Sequence, residues 1–343
     1  MSTRRWALFP LAASCALGTT ASEVAVGLSL LVTLWVIAKR EPIQVLGGQT
    51  TWAYALLWLL MVPITGDLRE GLGHIWPIAP LLTIPMLRGG ADPPDLGLRL
   101  GLWLAAGVGA WAAIQGLSGE ATGPFSHHLT LAYALLPPLG VALHRRSWLA
   151  LPLALGVMGS RSSGAVVALG VTVLLGIWAA ATPLRCWRRA PSLALLGMAL
   201  TVAALPFAAR SELHERAILW TGGLQVGTTA PAGPGGYGAA SAPYYDRLEA
   251  GFWFPNHAHD SAVQILAVLG PAGWLCALLL VTQWFKAFGP GAAAGLAGVC
   301  VGSLTQDTFG DLEVIRAVVI WGALTAAYPK SQDLRPTSTT AAA

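Results

Sequence analysis

Apolar runs, broken at charges, prolines and glycines, recur from one end of this chain to the other. Read as helices they fall at 7–22, 24–38, 50–65, 72–87, 98–117, 126–143, 147–160, 162–182, 191–208, 260–285, 289–306 and 312–328, with Leu, Val, Ala and Trp dominating throughout. A bilayer core of about 30 Å asks for about 20 mostly apolar residues per helical crossing. The pattern therefore predicts about twelve transmembrane helices, the weakest being 7–22 and 147–160. None of the runs alternates apolar and polar residues between turn signals, as the strands of an outer-membrane barrel do. The expected fold is an all-α, polytopic membrane bundle.

One segment departs from the short connections. From 209 to 258 the chain runs about fifty residues as one connection, far beyond the length at which a loop needs a reason of its own. Its first part, "RSELHERAILWTGGLQV", sets Ile218, Leu219 and Leu224, with Trp220, at near-helical spacing and predicts a helix lying along the membrane surface. Its middle, "APAGPGGYGAASAP", is expected to be flexible. The predicted organisation is helices 1–9 over 1–208, this loop over 209–258, helices 10–12 over 259–328 and a tail over 329–343.

Composition agrees: 55% of residues are hydrophobic, mean hydropathy is +0.62, and 10% are charged against roughly 25% in soluble domains. Charge placement fixes an orientation, because Lys and Arg collect in cytoplasmic loops. With the N-terminus inside, the inner loops and tails hold Arg4, Arg5, Lys39, Arg40, Arg88, Arg99, Arg145, Arg146, Arg185, Arg188, Arg189, Lys286, Lys330 and Arg335, most of the 20 basic residues. Both termini are then cytoplasmic and the long loop faces outward. The opening segment also reads as a signal peptide with Arg4 and Arg5 as its basic region, which leaves the rest of the topology unchanged. Cys15, Cys186, Cys276 and Cys300 lie in or beside apolar runs with no CxxC spacing and read as small core residues.

The candidate chemistry gathers at the outer ends of helices. Ionisable groups at membrane depth line cavities or substrate paths when they are not paired. Arg161 in "MGSRSSGAV", Arg216 in the surface helix and Arg316 in the last helix are outward cations, and "GFWFPNHAHDSAVQ" delivers His257, His259 and Asp260 to the start of the tenth helix. Together they describe a positive outward pocket with an imidazole suited to proton transfer. Plainer roles stand beside that one: the histidines and Asp260 as helix-start caps, Arg161 as a snorkelling anchor, and His127 and His128 in "GPFSHHLTLAY" as interface polarity. "GPGGYG" follows no strand and is no dinucleotide fingerprint. "SRSSG" has Arg161 where an intramembrane serine protease would have glycine, and no HExxH occurs.

These residues resemble the O-antigen ligase and polymerase superfamily of bacterial membrane glycosyltransferases. "HDSAVQILAVLGPAG" is similar to the family stretch through His259, Gln264, Gly270 and Gly273, with Asp260, Ala262 and Val263 departing from it. "GSRSSG" resembles the family's Ser-Arg helix start, and "ERAILWTGGLQ" its Arg-x-x-x-Trp element, carried by Arg216 and Trp220. The likeness runs from about 123 to 328. It implies a GT-C-like bundle in the bacterial inner membrane that moves a glycan from undecaprenyl diphosphate to a hydroxyl of lipid A–core or of a growing glycan, inverting the anomeric centre. It also implies roles: His259, Arg161 and Arg216 as catalytic residues, with Arg316, His257, Asp260, Trp220, His127 and His128 in substrate binding. The expected partners are the carrier-linked glycan, its acceptor and membrane lipids, with no cofactor, no metal and no nucleic acid. A lipid-linked glycan flippase and a non-catalytic envelope scaffold are the competing functions. Charges at the outer edge and the lack of an inverted repeat speak against transport.

Overall fold

The structure, a computed structural model, describes residues 19–39, 48–65, 69, 71, 95–125, 127–181, 210–245 and 257–326. These residues are helical, with no strand among them. In chain order the helices are α1 (Thr19–Ala38), α2 (Gln49–Met61, continued by a 3-10 turn Val62–Thr65), α3 (Asp95–Ser118), α4 (His128–His144), α5 (Ala150–Gly159), α6 (Ser163–Ala181), α7 (Arg210–Thr229), α8 (Tyr237–Tyr245), α9 (Ser261–Ala287), α10 (Pro290–Gly302) and α11 (Leu312–Thr325).

Three of them, Leu98–Ser118 within α3, Ser163–Ala181 and Ser261–Ala287, are long and apolar enough to cross a membrane. Their outward faces carry large apolar side chains, among them Trp103, Trp111, Ile114, Leu174, Ile177, Leu275 and Leu278. A soluble domain would not expose such continuous apolar faces, whereas lipid accepts them. The chain is built as a membrane protein.

Several expected boundaries shift. The break expected between 22 and 24 is absent over the described part, since α1 runs unbroken through Glu23. The tenth expected helix is α9, and it bends at Gly270, whose φ of +70° is left-handed, just before Pro271. The expected helix 289–306 stops at Gly302, because Ser303 to Asp311 turn their polar groups onto one another and onto the start of α9. At about 1.5 Å per residue, α5 with its 10 residues and α10 with 13 fall short of a full crossing by themselves. The expected helices at 72–87 and 191–208, most of 7–22, and the tail 329–343 lie outside the described residues.

The core is α4 and α10, packed with α6 and α11. Along α10, Gly291 and Gly295 lie against Gly140 and Pro137 of α4, Gly298 against Ala168 and Thr172 of α6, and Gly302 against the ring of Tyr133. A Cβ at Gly295 would stand 2.4 Å from Pro137 Cα, which is why a small-residue stripe is needed for backbones to meet this closely. The same device joins α3 to α5, where Gly109 and Gly116 meet Gly156 and Gly159.

The segment expected to be a flexible middle is instead built into the fold. Pro271 has no N–H to give the Ala267 carbonyl four residues back, and the bend at Gly270 leaves the next carbonyl open as well. Ala232 N–H donates to Ala267 O at 2.8 Å and Gly233 N–H to Val268 O at 3.0 Å. Beyond it Tyr237 is fully buried, its hydroxyl donating to Leu219 O at 3.5 Å. The helix expected within the loop is α7, and it lies on the first half of α9, with Gly223 against Val263 and Gly227 against Leu266.

Candidate functional site

The ends of α3, α5 and α10 and the starts of α4, α6, α9 and α11 meet at one end of the bundle. Two polar loops interlock there: "HAHDS" before α9 and "SLTQDTFGD" between α10 and α11. Ser261, buried, fastens them. Its N–H donates to Ser303 O at 2.9 Å, its hydroxyl donates to Gln306 O at 3.3 Å, and it accepts from Phe309 N–H at 2.9 Å.

Asp260 caps α9, its Oδ1 accepting from Val263 N–H at 2.8 Å. Burial raises its pKa, opposed by those helix-start amides and by the Arg216 charge. The histidines do not cap the helix. His257 Nδ1 accepts from His259 N–H at 3.3 Å, the two rings lie 4.1 Å apart, and His259 Nδ1 faces Gln306 Oε1 at 3.4 Å. Burial lowers both imidazoles from 6.5, His257 to about 4 with help from its histidine neighbours. For His259 the Gln306 bond works against that and the Arg216 charge with it. Both rings are neutral near pH 7.

Arg216 comes in from α7 and donates through Nη1 to Thr305 O, near enough for its charge to act on both His259 and Asp260. Arg161 sits on the adjoining loop between α5 and α6, and at the start of α6 Gly164 lies against Thr305 and Tyr133. Its exposed fork donates from Nε and Nη2 to Gly116 O at 3.2 and 2.8 Å, capping the end of α3. His127 caps α4 by accepting from Leu129 N–H. His128 pairs with Glu120 at 3.2 Å, and its ring lies 4.2 Å from that of His127, which in turn is near enough to act on His257. The structure thus brings His127, His128, His257, His259, Asp260 and Arg216 to one place, with Arg161 at its rim. Trp220 is half-buried, its indole N–H without an acceptor among the described residues. Arg316 is 1% exposed, inside the bundle on α11.

Gln306, Asp307, Ser261 and Asp311 belong to this site and were not singled out from the sequence. Burial pushes Asp307 up to about 6, and Asp311 up to about 7, with Glu313 beside it adding to the effect. Asp311 caps α11 and accepts from the Thr130 hydroxyl at 2.5 Å, tying α11 to the first turn of α4. The available signal was a run of polar residues, "TQDTFGD", between two apolar segments. No group of three or more His, Cys, Asp or Glu among the described residues is arranged to hold a metal ion. Cys276 and Cys300 are free thiols. No family model matches the chain, and no curated protein matches it significantly.

Proposed function

We propose that this protein is a metal-independent, inverting membrane glycosyltransferase of about twelve crossings, GT-C-like, that moves a glycan from undecaprenyl diphosphate to an acceptor hydroxyl on the outer face of the bacterial inner membrane. The observation that carries the reading is the placement of His259 against Gln306 and of the Arg216 guanidinium on the neighbouring Thr305 carbonyl, at one end of an apolar helical bundle. His259 takes the proton of the acceptor hydroxyl, the oxygen bonds to the anomeric carbon, and the bond from that carbon to the carrier's diphosphate breaks, the diphosphate keeping the electron pair. Charge grows on phosphate oxygens, and a guanidinium that cannot lose its proton suits that position. Arg216 takes the diphosphate, with Arg161 presenting the rest of its fork from the exposed rim. His257, His127 and His128 line the acceptor side; Asp260 fixes the helix start that presents His259.

Support also comes from the backbone. Only Arg146, Arg161 and His259 among the described non-glycine residues have positive φ, and two of these three are the residues assigned to chemistry. Such conformations cost of order 1–3 kcal/mol each and persist where the surrounding structure over-determines them. The test is transfer in proteoliposomes holding the purified full chain, an undecaprenyl diphosphate-linked glycan and a glycan acceptor. Wild type should transfer, and His259→Ala should transfer about 10²–10⁴-fold more slowly while inserting normally. Movement of the carrier-linked glycan between leaflets without transfer would instead identify a flippase.

A further inference from the structure

An imidazole can serve as a base only at the nitrogen that carries no proton, and nothing in the sequence says which nitrogen that is in His259. The structure places an acceptor against one of the two. Gln306 Oε1, an acceptor, faces His259 Nδ1 at 3.4 Å. An amide oxygen opposite a ring nitrogen is satisfied only when that nitrogen carries the proton. The backbone of the glutamine is itself held from two sides. Its N–H donates to Gly302 O at 3.1 Å, its carbonyl accepts from Ser261 Oγ at 3.3 Å, and Ser261 is in turn fixed by Ser303 O and Phe309 N–H. His259 is equally constrained, with φ at +53°, its N–H on His257 Nδ1 and its ring against that of His257.

We infer that Gln306 is a positioning residue that keeps the His259 proton on Nδ1 and leaves the Nε2 lone pair as the site's proton acceptor, with Ser261 fastening the Gln306 loop to the start of α9. This rests on the reading of His259 as the base. Free histidine in water prefers the opposite tautomer, so without Gln306 the ring would carry its proton on the nitrogen that has to receive one. The other groups facing this ring do not replace the glutamine: Arg216 presents only donors, and His257 accepts from the backbone N–H rather than from the ring. Asp260 spends its Oδ1 on the helix start.

The experiment is nitrogen NMR of the full chain in detergent with 15N-labelled histidine, the His259 signals assigned by their loss in His259→Ala. Above pH 7 wild-type His259 should show a pyrrole-type Nδ1 and a pyridine-type Nε2. Gln306→Leu should convert it toward the Nε2–H form. Gln306→Glu places a carboxylate on Nδ1 and should raise the proton affinity of the ring about tenfold or more, moving the acid limb of any transfer activity to higher pH. A wild-type His259 protonated on Nε2 overturns the inference with no variant needed, and so does a folded Gln306→Leu protein with an unchanged tautomer. Transfer is scored separately. An Nδ1–H His259 in a protein that moves no glycan supports the Gln306 assignment and removes the glycosyltransferase reading.

Discussion

His259 combines three conditions that pull on its proton: partial burial, a cation facing it, and an amide oxygen on one ring nitrogen. The first two lower its pKa below 6.5 and the third opposes them, the net direction being down. A base works in its neutral form, so a lowered pKa extends activity toward acid. In proteoliposomes the acid limb of kcat/KM should therefore fall below pH 6.5, and Arg216→Gln, besides slowing transfer, should move that limb to higher pH because the opposing cation is gone. A limb that stays in place would dissociate Arg216 from His259. At this scale the sequence made His257, His259, Asp260, Arg216, His127 and His128 legible, since each is a polar residue where an apolar helix starts or beside one. Gln306 and Asp307 were not, because the polar run that follows "GLAGVCVG" is short enough to be absorbed into a hydrophobic window, and Ser261 was not, because it reads as one more polar residue at a helix start. Only the hydrogen bonds around Ser261 show that the run turns back.

Helix positions were easier to read than helix ends and bends. Apolar length predicts an element, but where it stops depends on which polar groups find partners, and that is settled by neighbours distant in sequence. The bend in α9 is the clearest instance: Gly270 and Pro271 were visible as letters, while the N–H groups of Ala232 and Gly233 that satisfy the opened carbonyls come from a segment whose composition reads as flexible. Gly270→Ala should strain both partners, since an alanine at left-handed φ is disfavoured by roughly 1–2 kcal/mol and its Cβ would stand 2.8 Å from Pro231 Cγ. Hydrogen exchange at Ala232 and Gly233 should accelerate in that variant more than exchange in α4. Unchanged protection there would mean that the loop holds its place without the bend.

Across the whole molecule, Arg161 and Arg216, two of the cations expected outside, lie with His259 at one end of the described bundle, while Arg145 and Arg146 lie where α4 ends, with Arg146 donating to Ala180 O at the end of α6. Which end faces the cell exterior is a matter for labelling. Ala239, exposed on α8, and Arg145, exposed at the end of α4, are suitable positions, whereas Ser241 is buried and would mislead. In intact spheroplasts of a cysteine-free background, Ala239→Cys should react with a membrane-impermeant maleimide and Arg145→Cys should not; the reverse would invert the orientation and move the proposed site to the cytoplasm. The short α10 has a consequence for how such a chain is made. Nearly all of its residues are buried against α4 and α6, and its roughly 20 Å cannot span a bilayer core of about 30 Å in lipid alone. Its seat is assembled from helices translated before it, so the order of synthesis becomes the order of assembly, and a ribosome that has not yet delivered α4 and α6 has nowhere to put it.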